Sequence, residues 1–134
     1  ENEGSDNIVP NEIPLSILYE DEDILVIDKP ANMPIHPSIN HYEQTLANGV
    51  LWYYTAQQIP YTFRCITRLD RDTTGVTLLA KHMLSASVLS KAMQQKQIQK
   101  EYLALCDGVT PEEGTIDAPI CRAADSVIER CVDF

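Results

Sequence analysis

Basic residues are scarce in this chain of 134 residues: ten Lys and Arg stand against twenty Asp and Glu, a formal net charge of -10. That balance argues against a nonspecific nucleic-acid binder, which needs clustered cations to neutralise phosphates. Long apolar runs are missing as well. Nothing approaches the roughly 18 to 20 residues that a membrane span requires, and the N-terminus lacks the basic, then apolar, order of a signal peptide. A cytoplasmic protein with no membrane partner is expected. The four cysteines, Cys65, Cys106, Cys121 and Cys131, include no C-x-x-C pair. Each sits in or beside an apolar stretch, as small buried hydrophobes do, so neither a metal nor a disulfide role is expected. The three histidines have no metal-ligand spacing: His36 and His41 share a loop and His82 stands alone, so no metal site is predicted. There is no internal repeat and no sustained βαβ alternation.

What is present suits one domain, with 44% hydrophobic residues and 7% aromatics. Charge is unevenly placed. Residues 1–28 hold nine Asp or Glu and no base, whereas residues 64–100 hold seven Lys or Arg against two Asp, so the central segment is locally basic. Residues 1–12 read as an acidic tail or linker, and residues 13–134 as the folded part. The chain begins without a methionine and ends on the alternating run "VIERCVDF", which as a strand needs a neighbour; an excised part of a larger domain is expected.

Ile17–Tyr19 and Ile24–Ile27 read as a hairpin joined through the acidic turn Glu20–Asp23. The stretch "KPANMPIHPSINH" carries three prolines in thirteen residues and reads as a fixed loop. Thr45 is placed to cap a helix through "LANGVLWYYTAQQ" despite Gly49 within it. "FRCITRLD" and "GVTLLAK" read as strands flanking a polar junction, with a helix from His82 to Gln95 built on Leu84, Val88, Leu89, Ala92 and Met93. "KEYLALCDG", "GTIDAPI" and "SVIERCVDF" continue the strand pattern. The fold class expected is α+β, with a largely antiparallel mixed sheet and flanking helices.

The junction itself, "TRLDRDTTGVTLLAKH" (residues 67–82), carries more charge and hydroxyl than a tight connection demands. A carboxylate at Asp70 between Arg68 and Arg71 would be held ionised by opposite charge, the state that a nucleophile or general base needs. On residue types alone, a surface salt-bridge cluster or an Asx turn is the commoner reading. "DTTG" has one threonine too many for the Asp-Thr-Gly of aspartic proteases and no second copy to make a dyad.

The full run resembles the "H-R-L-D-x-x-T-S-G-L-L-L-x-A-K" signature of pseudouridine synthases of the RluA type. Two more segments agree in order: "YEDEDILVIDKPANMPIHP" is similar to "YEDxxLLVxNKPAGLxVHP", and "KEYLALCDG" to "KxYLAxVxG". Together they span residues 19–108. The resemblance implies an RNA-uridine isomerase with a pseudouridine synthase-like fold, truncated at the C-terminus, acting on structured RNA (rRNA or tRNA) without a cofactor. It implies Asp70 as the catalytic carboxylate, Arg68 as the residue that extrudes the base, and Tyr102 as an active-site ring that stacks on uracil and assists proton transfer. Thr73, Thr74 and Gly75 then shape the turn that presents Asp70, and Lys29, with Pro30, His36 and Pro37, belongs to an RNA-facing loop in which Lys29 is a candidate RNA contact. Arg68 could equally be an ion-pair partner of Asp70, and Lys29 a solvated loop lysine.

Two departures stand out. Thr67 replaces the usual histidine, keeping a hydroxyl but losing the capacity for positive charge. The family's later "TGRTHQIRVH"-like segment and the basic partner of the aspartate are not found before Phe134, so the chain alone is expected to be inactive and to self-associate through an exposed sheet edge. An alternative from another class is a non-catalytic RNA-binding or ribosome-assembly module with the same fold.

Overall fold

In a computed structural model, the described residues are 8–38, 42–123 and 129–132. They fall into two compact units, residues 1–99 and 100–134. The first unit is built on strands β1 (Ser16–Glu20) and β2 (Ile24–Lys29), the expected hairpin. Asp21 closes its turn. Its Oδ1 accepts from the backbone N–H of Asp23 and Ile24, both at 2.8 Å, which holds its carboxyl below the ordinary carboxylate value. Strand β3 (Gly75–Ala80) pairs antiparallel with β2, giving the sheet order β1-β2-β3.

Strand alternation turns Leu25, Ile27 and Lys29 to one face of β2, opposite Leu79, Thr77 and Gly75 of β3. Helix α1 (Leu46–Ala56) covers this face, with Leu46, Val50 and Tyr54 one turn apart in the core. Thr45 caps α1 in a reciprocal box with Asn48, a buried hub whose Nδ2 also donates to Val9 O at 2.7 Å. Gly49 belongs in this helix because a Cβ would meet Ile13 and Leu15 side-chain atoms at 3.2 Å. The N-terminal segment crosses α1 there. Asn11 N–H donates to Asn48 O and Ile8 packs on the core, so residues 8–12 are seated rather than part of a tail; residues 1–7 lie outside the described residues.

The α+β class with antiparallel sheets is what the structure has. Among the described residues every strand pair is antiparallel, with no parallel pair to make the sheet mixed. The strand expected over 63–70 is realised only in part. Ala80 N–H donates to Arg64 O and Ile66 N–H to Leu78 O, and then Leu78 N–H turns to the Thr67 hydroxyl at 2.8 Å. A side chain ends the ladder, and the backbone leaves the sheet. Helix α2 (Met83–Gln94) is capped by His82, whose Nδ1 accepts from Ser85 N–H while Nε2 meets Asp23 Oδ1 at 2.7 Å. Its apolar stripe is buried only in part: Leu89, Ala92 and Met93 are half-buried, whereas Leu84 and Val88 are exposed.

In the second unit, strands β4 (Ile120–Arg122) and β5 (Arg130–Val132) form an antiparallel pair. "KEYLALCDG" is irregular, contrary to its alternation, with Leu103 and Leu105 fully exposed: a period-2 pattern yields a strand only when a neighbour supplies the ladder. Strand formation in "GTIDAPI" begins only at Ile120. Of "SVIERCVDF", residues 126–128, 133 and 134 lie outside the described residues.

One cluster ties the strand ends of the first unit to α1. The Glu20 carboxylate accepts from Tyr53 Oη, Tyr54 Oη and Lys81 Nζ, at 2.8, 2.9 and 2.8 Å. Burial pushes the Glu20 carboxyl up, but these three bonds outweigh it and hold it below its ordinary value. Tyr54 and Tyr61, stacked at 4.4 Å, are raised chiefly by burial, and Tyr53 chiefly by its bond to Glu20. A lowered acid contributes stability above its unfolded value of 4.5 that is lost as pH falls through the folded value. A raised tyrosine contributes stability below 10.0 that is lost as pH rises through the folded value. Urea denaturation should therefore show a plateau falling at both ends, and Glu20→Gln should flatten the acid limb while lowering the plateau by about 1–3 kcal/mol.

Candidate active site

Two polar segments meet at the end of the sheet where Lys29 and Gly75 stand opposite each other: the loop leaving β2 (Pro30–Ser38) and the junction entering β3 (Arg68–Thr74). The join centres on Arg71. Its carbonyl accepts from Met33 N–H at 3.1 Å and from Lys29 Nζ at 2.9 Å, while its guanidinium donates through Nε and Nη2 to Asn32 Oδ1.

Lys29 makes this possible. Its side chain is fully buried, and Nζ donates also to Pro30 O at 2.8 Å and Met33 O at 2.9 Å. An ammonium has three N–H donors, and three carbonyls take them all. The expectation that Lys29 contacts RNA is thereby corrected: it has no donor left for a phosphate and no exposure to one. Burial pulls its pKa down, opposed by the carboxylates of Asp72 and Asp70, which places both acids within electrostatic reach of the buried charge.

Asp70 lies on the exposed side of this join, where its carbonyl accepts from Thr73 N–H at 3.2 Å across a turn with Arg71 and Asp72 at its centre. Thr74 follows, and Gly75 enters β3 at φ +112°, a conformation that L side chains rarely adopt. Among the described residues no ion pair joins Asp70 to Arg68 or Arg71; Arg71 instead approaches Asp72, at 4.0 Å. Neighbouring charges in a tight turn point apart. Arg68 is exposed and acts on His36, whose pKa is lowered first by burial and then by that guanidinium; the His36 ring packs edge-on against Phe63 at 5.0 Å. His41 lies outside the described residues. Tyr102 belongs to the second unit and is exposed.

An open depression of about 600 Å³ adjoins the join, walled by Asn32, Met33, Tyr42, Gln44 and Arg71. Asp70 does not line it. No group of three or more metal-ligating side chains occurs among the described residues.

The model of the RNA pseudouridylate synthase family matches residues 23–132. The chain belongs to that family. It is 41% identical over 133 residues to a Bacillus subtilis protein named as an uncharacterized RNA pseudouridine synthase, YjbO, covering 98% of this chain and 47% of that protein. It is 40% identical over 120 residues to ribosomal large subunit pseudouridine synthase D of Blochmanniella floridana, covering 88% of this chain and 37% of that one. The chain thus spans less than half the length of these relatives. A solved structure, human RNA pseudouridylate synthase domain containing 4, matches 61% of this chain and 30% of its own at a TM-score of 0.50 and 24% identity, a likeness of fold.

Sequence reasoning missed Asn32. The synthase pattern has glycine at this place, and Asn32 adopts φ 58°, the left-handed region that glycine and asparagine tolerate best. The signal was a Gly-to-Asn exchange inside a tight loop, an exchange that keeps the left-handed backbone and adds a side-chain acceptor. Thr67 likewise has a definite place where synthases carry histidine: nearly buried, its hydroxyl accepts from Leu78 N–H and fixes the exit from the ladder.

Lys29→Met should lower stability by about 2–4 kcal/mol, because three carbonyls lose a charged donor and only that of Arg71 keeps another, the Met33 N–H. Asn32→Gly should cost less than about 1 kcal/mol, since only an exposed side-chain link is lost. Urea midpoints at constant m-value distinguish the two.

Proposed function

We propose that this chain carries the aspartate-bearing part of an RNA pseudouridine synthase that isomerises a uridine in structured RNA, ribosomal RNA of the large subunit before tRNA. The observation that carries the reading is Asp70: it stands in the synthase signature on a turn whose backbone is held from beneath by Lys29. The large-subunit assignment rests on the name carried by relatives such as ribosomal large subunit pseudouridine synthase D. A cytoplasmic site of action accords with an RNA substrate, and no helix among the described residues is long and apolar enough to cross a membrane.

In the proposed reaction the bond between ribose C1′ and uracil N1 breaks, the base turns, and C1′ joins C5. The C5 proton is lost and N1 takes one up, so the substrate is rearranged without redox change and without any cofactor. An ionised Asp70 carboxylate acts on the ribose–uracil unit, either as nucleophile or as base. The target base must leave its stack to be reached. Arg68, exposed beside His36, is the residue to enter the vacated stack, because a planar guanidinium can lie against bases and bond phosphate together. Tyr102 is assigned to stack on the extruded uracil and to assist proton transfer.

Basic residues cluster between 64 and 100 within a chain of net charge -10, so binding should depend on a few directed contacts rather than on overall attraction. The test is to incubate the full-length protein with unmodified large-subunit RNA and with tRNA, and to map pseudouridine base by base. Asp70→Asn should reduce the rate by about 10²–10⁴-fold with RNA affinity retained, and Arg68→Ala should weaken both. Full activity in Asp70→Asn would overturn the reading. Tight RNA binding with every uridine unchanged would favour the non-catalytic module instead.

A further inference from the structure

The short hairpin of the second unit brings two sulfur atoms together. Cys121 of β4 and Cys131 of β5 are directly opposite in the ladder, and their Sγ atoms lie 3.1 Å apart. All four cysteines of the chain are thiols, and no other pair of them is in contact among the described residues. A disulfide needs about 2.05 Å between sulfurs, so the pair is about 1 Å from bonding distance, within the reach of small χ1 changes.

Backbone register favours the bond. Ala123 N–H donates to Glu129 O at 3.1 Å, which marks 123 and 129 as a hydrogen-bonded pair. Pairs alternate along an antiparallel ladder, so 121 and 131 fall in the same class, where Cα atoms stand about 5.5 Å apart, inside the range disulfides span. The hairpin also has reason to gain from a bond. It has only three residues per strand, too short a ladder to be stable alone. The other two cysteines differ. Cys65 is largely buried, donates to Thr67 O, and has its thiol pushed up to about 11 by burial, while Cys106 is exposed with no partner cysteine beside it.

We propose that Cys121 and Cys131 form an oxidant-sensitive dithiol that closes a cross-strand disulfide on reaction with a low-molecular-weight disulfide such as oxidised glutathione. One thiolate attacks a glutathione sulfur, forming a mixed disulfide and releasing one reduced glutathione. The second thiolate attacks the protein sulfur of that mixed disulfide, closing the Cys121–Cys131 bond and releasing the other. Two protein thiols are oxidised, one glutathione disulfide is reduced to two thiols, and the protein's two protons balance the two glutathione thiolates. A short exposed cross-strand bond of this kind belongs with reducible disulfides, so the site responds to redox poise and does not stay permanently closed.

The experiment equilibrates the chain in glutathione buffers of rising oxidised fraction, quenches with acid, alkylates the remaining thiols, and maps the peptides by mass spectrometry. Expected are one linked Cys121–Cys131 peptide lacking two hydrogens, a midpoint independent of protein concentration, Cys65 alkylated throughout, and Cys106 found only as thiol or mixed disulfide. Amide exchange of Cys121, Ala123 and Cys131 should slow at least tenfold on closure. Cys131→Ser should leave Cys121 as a glutathione adduct with no link, and Cys121→Ser the converse. The proposal is overturned by either of two results: both cysteines ending as separate glutathione adducts in the unaltered chain, or a link that forms only between molecules or to Cys106.

Discussion

A buried ammonium cannot be left with an idle donor, and that requirement organises the end of the sheet where Lys29 and Gly75 stand opposite each other. Lys29 lies on the core face of β2, between the apolar side chains of the strand and the loop that follows. Taking its charge out of water is unfavourable unless each N–H finds an acceptor. The acceptors are carbonyls at Pro30, Met33 and Arg71, so satisfying one side chain fixes the path of two separate segments. Because Arg71 follows Asp70 directly, the carboxylate's position is set by a neighbour's backbone. Charge also acts through this arrangement: the buried Lys29 ammonium lies within electrostatic reach of the Asp72 and Asp70 carboxylates.

The opposite end of the same strands is closed by a different device. Glu20, at the end of β1, gathers two tyrosine hydroxyls from α1 and the Lys81 ammonium that follows β3. Every strong partner there is turned inward. At the Lys29 end the buried charge is satisfied by backbone alone, which leaves the side chains of Arg68 and Asp70 unspent on internal ion pairs. Charge turned inward thus holds both ends of the sheet, fully buried at Lys29 and partly buried at Glu20.

The hairpin, the Thr45 cap and strand β3 were legible because each rests on local chemistry: an acidic turn, a side-chain oxygen before an apolar run, and β-branched residues after glycine. The helix beginning at His82 was legible in extent but not in burial, since helical spacing describes a face and not what covers it. Lys29 illustrates a sharper limit. A lysine before proline in a polar loop reads as solvated, and only the register of β2 shows that its side chain points to the core. Lys100–Gly108 failed for the complementary reason: alternation is a property of the segment, whereas a strand is a property of a pair. The Cys121–Cys131 contact was invisible to spacing, because antiparallel pairing brings together residues of any separation that a turn allows.

The arginines flanking Asp70 show why the site's charge pattern misleads when read along the chain. Proximity in sequence suggests that Arg68 and Arg71 neutralise the carboxylate between them. In the folded turn Arg71 is drawn away by the Asn32 oxygen and lies 4.0 Å from Asp72, while Arg68 faces the His36 side of the loop. An exposed pair at that distance contributes little, so the stronger restraint on Arg71 is the fork of its two N–H groups on Asn32. Asn32 can occupy that place only because asparagine tolerates a left-handed backbone nearly as glycine does. The exchange of one permissive residue for another therefore does more than preserve a loop: it gives the Arg71 guanidinium an acceptor that is not a carboxylate. Asp70 is exposed and has no ion pair to either arginine, the arrangement that the role proposed for it requires.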